Sequence, residues 1–326
     1  MSKPRKIAFF GSDEIALPAI NSILGFPEIW EICAVLTQPD QRSGRGRKLQ
    51  PNPIKQWALE SNTPVRDPQK PTIEEVNWLK DLGVELVLIM AYGHILEEEL
   101  LDVAPFGSFN LHASLLPQYR GASPIETAIA MGEEKTGVTL MKVVPEMDAG
   151  PILDAEVISI ESSDTGSRLR GKIAQACVPL LKRALSRIFT GDTLCRPQVE
   201  EEATYCRKLS KLDGQLNFFL PANELANRTR AFSAWPGSYF FYDDVLLKVG
   251  KMSVLSCGDL LPGQRDSEKA KSLIIGTTKG AIEVLEIQKP GGKMLSISEF
   301  LRGFDLPREV VFPSPTVLGF LIRKEK

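Results

Sequence analysis

Cysteine is sparse, and the five present, Cys33, Cys177, Cys195, Cys206 and Cys257, are scattered with no Cys-x-x-Cys pair. That spacing argues against a metal knuckle or a disulfide framework, and it suits a reducing cytoplasm. Excess positive charge is missing too. A formal net charge of −2 excludes a generally basic protein that coats nucleic acid, though it leaves room for a local basic patch. No apolar run approaches the length of a membrane span. The run Ile7 to Phe10, behind Lys3, Arg5 and Lys6, is too short for a signal peptide. Internal repeats and low-complexity tracts are absent, and so is a dinucleotide fingerprint. Gly44-Arg-Gly46 begins like one, but position 49 is Leu49 and the segment does not join a strand directly to a helix. The first turn, Phe10-Gly-Ser-Asp-Glu14, has one glycine and two acids, which disfavours a pyrophosphate. Histidine is rarest, with His94 and His112 alone. An isolated histidine is structural more often than catalytic, so each must take its role from its neighbours.

What is there reads as a two-domain globular chain. Its 326 residues exceed one ordinary core, and 43% hydrophobic with 25% charged residues is a globular composition. Lys6 to Gly11 reads as a buried strand, followed by a helix from Glu14 to Leu24 capped by Ser12 or Asp13. Glu31 to Thr37 is β-rich, Ile54 to Ser61 and Thr72 to Leu82 are helical, and Val84 to Met90 is a nearly unbroken apolar strand. Uninterrupted apolar strands between helices predict a Rossmann-like open, mainly parallel sheet with helices on both faces. A strand over Thr136 to Val144 and a helix over Gly166 to Phe189 complete it. Residues 191–210 are polar and aperiodic, which marks a linker. Beyond it one helix, Asn223 to Phe232, precedes short strands at Gly237 to Tyr242, Val245 to Val249, Lys251 to Ser256, Ser272 to Gly276 and Ala281 to Gln288. Close-spaced short strands predict a small OB-like β-barrel. The expected domains are therefore 1–190, a linker at 191–210, and 211–326.

The stretch Phe109 to Ile125 carries the strongest site signal. Phe109 and Leu111 alternate with Asn110 and His112, so the two polar side chains share one face of an extended segment. Pro117 ends the strand region, Arg120-Gly121 turns, and Ser123-Pro124 starts a helix running to about Met131. An imidazole accepts and returns protons near neutral pH, and an amide donates to a developing oxyanion. The missing carboxylate is best supplied by Asp148. It follows a strand expected to lie beside the first and to end at the same edge. His94 follows the strand ending at Met90 and reads as a partly exposed loop residue.

A second constellation is the loop from Thr37 to Pro51. It holds Arg42, Arg45, Arg47 and Lys48 among glycines, with no acid after Asp40 and no apolar residue between Pro39 and Leu49. Most charge runs are solvated surface, but four cations in an acidic protein point to a polyanion. A weaker third is the set Arg207, Lys208, Lys211, Arg228, Arg230, Lys248 and Lys251, with Trp235, Tyr239 and Phe240 nearby. Interleaved cations and aromatics grip nucleic acid in some barrels, although such aromatics are more often core.

Four landmarks in order, Thr37-Gln-Pro-Asp40 with its basic loop, Asn110-Leu-His112 with Ser114-Leu-Leu-Pro117 and Tyr119-Arg-Gly121, Met147-Asp-Ala-Gly150, and Lys208-Leu-Ser-Lys211 with Arg230-Ala-Phe-Ser-Ala-Trp-Pro236, resemble the methionyl-tRNA formyltransferase family over most of the chain. The second and third are shared by all folate-dependent formyltransferases; the first and fourth are particular to the tRNA enzymes. The resemblance implies a Rossmann-like catalytic domain and an OB-like domain. It implies formyl transfer from 10-formyltetrahydrofolate, a co-substrate, to the α-amine of methionyl-initiator tRNA, in support of translation initiation and without a metal. By motif, Asn110, His112 and Asp148 would be catalytic. Met90, Ala91, Tyr92, Gly93, Ser114, Leu115, Leu116 and Pro117 would contact the folate. Arg42, Arg45, Arg47, Lys48, Lys208 and Lys211 would meet the tRNA. The expected setting is a monomer in the cytoplasm, or in an organelle compartment of bacterial origin, with no membrane. Leu216-Asn-Phe-Phe219 departs from the family's Ile-Asp-Trp-like strand, and the tail from Arg302 to Lys326 matches nothing in the pattern. The rival readings are formyl transfer to a nucleotide-sugar amine, which needs no basic loop, and a non-catalytic tRNA-binding module, which has no use for the polar triad.

Overall fold

The computed structural model describes residues 3–43, 48–256, 259–315 and 321–324. In chain order the elements begin with β1 (Arg5–Gly11), α1 (Leu17–Leu24), β2 (Trp30–Leu36), β3 (Gln41–Ser43), β4 (Lys48–Gln50), α2 (Pro53–Glu60) and β5 (Val65–Arg66). Next come α3 (Ile73–Leu82), β6 (Leu86–Met90), α4 (Glu98–Leu101), β7 (Ser108–His112), β8 (Arg120–Gly121), α5 (Pro124–Ala130), β9 (Lys135–Lys142), β10 (Ile152–Ser159) and α6 (Gly166–Thr190). The last are β11 (Tyr205–Cys206), α7 (Ala222–Ala231), β12 (Ser238–Tyr242), β13 (Val245–Leu255), β14 (Leu273–Gly276), β15 (Ala281–Gln288), β16 (Leu295–Ser296), α8 (Ile297–Gly303) and β17 (Ile322–Arg323).

Two compact units share these elements. The first takes in Met1–Gly121, Lys135–Ser159 and Arg170–Tyr205; the second takes in Ala122–Glu134, Ile160–Leu169 and Cys206–Lys326. Residues 191–205 thus lie within the first unit, while α5 and the start of α6 lie within the second.

The first unit is built on a seven-stranded sheet in the order β10-β9-β7-β6-β1-β2-β5. Strands β5, β2, β1, β6 and β7 run parallel, as unbroken apolar runs predict. Successive side chains alternate faces. Ala8, Phe10, Val87 and Ile89 pack against Val76 and Leu79 of α3, while Met90 meets Cys177 of α6 on the other face. The α3 terminus is specified locally, since Thr72 and Glu75 form a reciprocal capping box and Gly83 ends the helix in the left-handed region.

Strand β9 lies beside β7 as expected, but antiparallel, with Phe109 opposite Lys142 and His112 opposite Thr139. It therefore ends at the edge opposite His112, not at the same edge. Asp148 reaches the site because residues 143–151 fold back, so that β10, a strand the sequence pattern does not announce, pairs antiparallel with β9. Gly150 permits the return: a Cβ there would lie 1.7 Å from the Lys142 carbonyl oxygen, so no other residue fits without moving the backbone.

The second unit holds a five-stranded antiparallel sheet, β12-β13-β15-β14 with β16 on β15, where the strand spacing predicts an OB-like barrel. The two strands expected at Val245 to Val249 and Lys251 to Ser256 are one strand, β13, irregular in register at Gly250. A bulge interrupts periodicity without ending pairing, which is why the sequence reads as two. Leu216 and Phe218 are core residues, so the departure from the family strand repacks an apolar site, and Phe219 points out. The unmatched tail also joins this core. Phe312 is buried 4.8 Å from the Phe240 ring centroid and packs on Phe218, and Ser314 Oγ accepts from the Phe218 amide. Buried Arg265 holds the tail's approach by donating to the Leu306 and Pro307 carbonyls.

Candidate active site

Asn110 and His112 project from the carboxyl half of β7, where open α/β sheets collect their ligands. His112 is buried, and its ring is held from both sides. Nε2 lies 2.9 Å from the Tyr119 carbonyl oxygen; because that oxygen only accepts, Nε2 carries a proton. Nδ1 faces Asp148 Oδ2 at 3.6 Å, which leaves it as the nitrogen open to exchange a proton. The Asn110 amide is half-buried and has no hydrogen-bond partner among the described residues. Of the three side chains singled out from sequence, His112 and Asp148 are thus brought together, and Asn110 lies two residues from His112 on the same strand face.

Asp148 is itself constrained. Its Oδ2 accepts from the Gly121 amide at 2.8 Å, and its backbone sits at φ 52° in the left-handed region. Such a conformation costs a non-glycine residue about 1–2 kcal/mol and persists where neighbours enforce it. Ser123 stands at the helix start as expected, but its side chain makes no capping bond there.

The eight residues expected to contact folate divide by exposure. Ser114 is fully buried and donates to the Gln118 carbonyl, while its own carbonyl accepts from Thr139 Oγ1, which also accepts from the Leu116 amide. Leu116 packs with Met141 and Ile152, and Met90 and Tyr92 are buried against the sheet. Burial pushes the Tyr92 phenol well above its ordinary pKa, and Glu75 adds to the rise. Ala91 and Gly93 stand exposed beside Ile95, and Leu115 and Pro117 are half-buried. Gly93 sits at φ 79° in the left-handed region, where a side chain would be strained, so this corner presents bare backbone. His94, half-buried, packs edge-on against the Tyr92 ring.

The Thr37-Gln-Pro-Asp40 landmark acts as a clamp at the root of the β3–β4 hairpin. Thr37 donates to Asn52 Oδ1, Asn52 donates to the Gln38 carbonyl and caps α2, and Asp40 pairs with Lys55 at 2.6 Å. Gln38 in turn donates to the Tyr92 carbonyl. Arg42 and Lys48 lie exposed on the hairpin, whereas Arg45 and Arg47 fall outside the described residues. Lys208 and Lys211 are exposed on the second unit, one just before and one within a Ser210–Asp213 capping box that Arg207 reinforces.

Sequence reasoning misses how deeply Arg120 is engaged. It reads as part of a turn, yet it is fully buried and bonded to Gln198, Glu200 and Tyr205. Burial lowers the guanidinium's pKa, but Glu200 and Tyr205 outweigh it and hold it above its ordinary value. The one available signal is a cation in a turn otherwise rich in small and apolar residues.

A family model described as Formyl transferase matches residues 5–185, and one described as Formyl transferase, C-terminal domain, matches residues 208–305. The chain belongs to the formyl transferase family. Among its relatives in this family, a methionyl-tRNA formyltransferase of Caldanaerobacter subterraneus subsp. tengcongensis is 37% identical over 309 residues, 94% of this chain and 99% of that protein. One of Pseudomonas fluorescens is 36% identical over 322 residues, 98% of each chain. The fold is shared with an N-formyltransferase from Helicobacter canadensis solved with folinic acid and dTDP-3-aminofucose, at 21% identity and a TM-score of 0.63, covering 87% of this chain and 99% of that one. Among the described residues no helix of this formyl transferase is long and apolar enough to cross a membrane.

Proposed function

We propose that this chain is a methionyl-tRNA formyltransferase, moving a formyl group from 10-formyltetrahydrofolate to the α-amine of methionyl-initiator tRNA. The observation that carries the chemistry is His112, with Nδ1 turned to Asp148 and Nε2 fixed on Tyr119, one alternation along β7 from an unengaged Asn110 amide. The folate supplies an activated formyl carbon; the exposed Ala91–Gly93 lip and Leu115 would hold it. In the transfer the amine nitrogen bonds to the formyl carbon, the carbon–nitrogen bond of the donor breaks, and one amine proton ends on the donor nitrogen. Asn110 donates to the oxygen that becomes negative. His112 Nδ1 takes the amine proton and returns it to the departing nitrogen, and the charged ring is stabilised by the Asp148 carboxylate beside it. Because Nε2 is committed to Tyr119, oxyanion donation falls first to Asn110.

The hairpin and the second unit support the choice of a tRNA acceptor. Full-length similarity to tRNA formyltransferases supports it, as do cations at Arg42, Arg45, Arg47, Lys48, Lys208 and Lys211, since a small amine needs neither surface. The setting this reading calls for is the compartment that holds charged initiator tRNA, the cytoplasm or its organelle equivalent, with the chain acting as a monomer. A sugar-linked amine is the second reading, favoured by the ligand of the Helicobacter canadensis protein. The test runs 10-formyltetrahydrofolate against methionyl-tRNA, free methionine and a nucleotide-linked amino sugar in parallel. Transfer to methionyl-tRNA alone is expected; transfer to the sugar but not the tRNA overturns the proposal.

A further inference from the structure

Asp148 is gripped twice, and both grips lead to one buried arginine. Its carboxylate accepts from the amide of Gly121, the residue after Arg120. Its own carbonyl, and that of Gly150, accept from Gln198 Nε2 at 2.8 and 2.7 Å. An amide nitrogen has two hydrogens, and both are spent on this loop.

Gln198 is itself oriented, because its Oε1 accepts from Arg120 Nε at 3.0 Å. The Arg120 head then reaches both oxygens of Glu200 at 2.9 Å and the Tyr205 hydroxyl at 2.8 Å. Backbone bonds run alongside: the Arg120 amide donates to the Thr204 carbonyl and the Tyr119 amide to Thr204 Oγ1. Tyr119 is also the residue whose carbonyl holds His112 Nε2. Residues 198–205 therefore form a strap across the loop that carries Asp148, and through Arg120 the strap is tied to the segment that sets the His112 ring.

We infer that Gln198 is a positioning residue for formyl transfer, holding the Asp148 loop in its left-handed conformation so that the carboxylate faces His112. The inference rests on the role given to Asp148 in the proposed function. Gln198 touches no reacting atom; it acts through Asp148. Supporting partners of this kind typically carry about 10–100-fold in function where they have been removed, and misplacement of a reacting group by about 1 Å costs up to about 10²-fold.

The experiment uses the full-length chain with saturating substrates. Gln198→Glu keeps the shape and the acceptor for Arg120 but deletes both donors to the loop, whereas Gln198→Leu deletes all three bonds. Each is expected to lower kcat by about tenfold or more, with KM for folate and for tRNA essentially kept. In an Asp148→Asn background the same Gln198→Leu change is expected to add almost nothing, because its only route of action is already gone. A kcat for Gln198→Glu matching the unsubstituted chain, beside an impaired Asp148→Asn, overturns the inference alone. An equal loss from Gln198→Leu in both backgrounds also overturns it, since the residue would then be acting on the fold in general. Turnover of Asp148→Asn like that of the unsubstituted chain overturns the role of Asp148 and this inference with it.

Discussion

The β7 site and the β3–β4 hairpin are held in place by opposite means. At the site most of the surrounding polar groups are bonded into the fold: His112 is held at Nε2 by the Tyr119 carbonyl, Ser114 and Leu116 share Thr139, and Asp148 is bonded at carboxylate and carbonyl. The described part of the hairpin has three paired positions with Arg42 and Lys48 exposed, and bonds of Thr37, Asn52 and Lys55 lie at its root. Burial with redundant bonding keeps reacting groups where chemistry needs them. Exposed cations suit an attraction that is long-ranged and tolerant of position, as the proposed tRNA contact requires. Changes at the first region are expected to alter turnover, and changes at the second to alter affinity.

The largest effect expected is at the site. Asn110→Ala is predicted to lower kcat by about 10²–10³-fold, the usual consequence of losing one oxyanion donor, while folate affinity is retained; steady-state kinetics with a folate titration checks both. Next is the strap. Arg120→Met deletes a fully buried cation and its bonds to three partners, and is predicted to destabilise the chain by about 2–3 kcal/mol. Glu200→Gln, at the 68% exposed end of the same pair, is predicted to cost under about 1 kcal/mol. Chemical denaturation of the two variants side by side measures how much burial of one partner matters.

The hairpin comes third. Replacing Arg42, Arg45 and Arg47 together with Ala is predicted to weaken tRNA binding and to flatten the slope of log affinity against log salt by about 2–3. Turnover at saturating tRNA is expected to be kept, and an unchanged salt slope would remove the hairpin from the interface. The smallest effect is pH-linked and lies in the second unit. Burial raises the Asp213 carboxyl, but bonds from Arg207 and Ser210 win and hold it below its ordinary value. The unfolded chain then binds more protons than the folded one, so this stability is present above the ordinary aspartate pKa and is lost as pH falls through the depressed folded value. Asp213→Asn is predicted to flatten that acid limb in urea unfolding measured across the acid range.

Parts of this arrangement are legible in the residue pattern. The period-2 alternation at Phe109 to His112 puts two polar side chains on one face, because strand geometry leaves no alternative. The motif Met147-Asp-Ala-Gly150 names the third residue, but adjacency of strand ends is the wrong geometric reason: β9 is antiparallel, and the carboxylate arrives on a loop that folds back. The direction of β9 depends on the path of the chain that leads into it, and its own apolar pattern does not encode that path. The burial of Arg120 and the bonds of Gln198 go unread for a different reason. Arginine is almost always exposed, and an aperiodic polar segment such as 191–205 carries no sign that its side chains meet a loop some fifty positions earlier.

Hydrophobic periodicity and short motifs act between neighbours along the chain. They suffice for the parallel half of the sheet, for the shared face of Asn110 and His112, and for the family. Folding in three dimensions is what brings Asp148 to His112 against the run of β9, and what sets a buried arginine and Gln198 to hold it there. Hydrogen bonds between distant segments are set by the packing that brings them together, and the satisfaction of a buried guanidinium is a property of the folded whole.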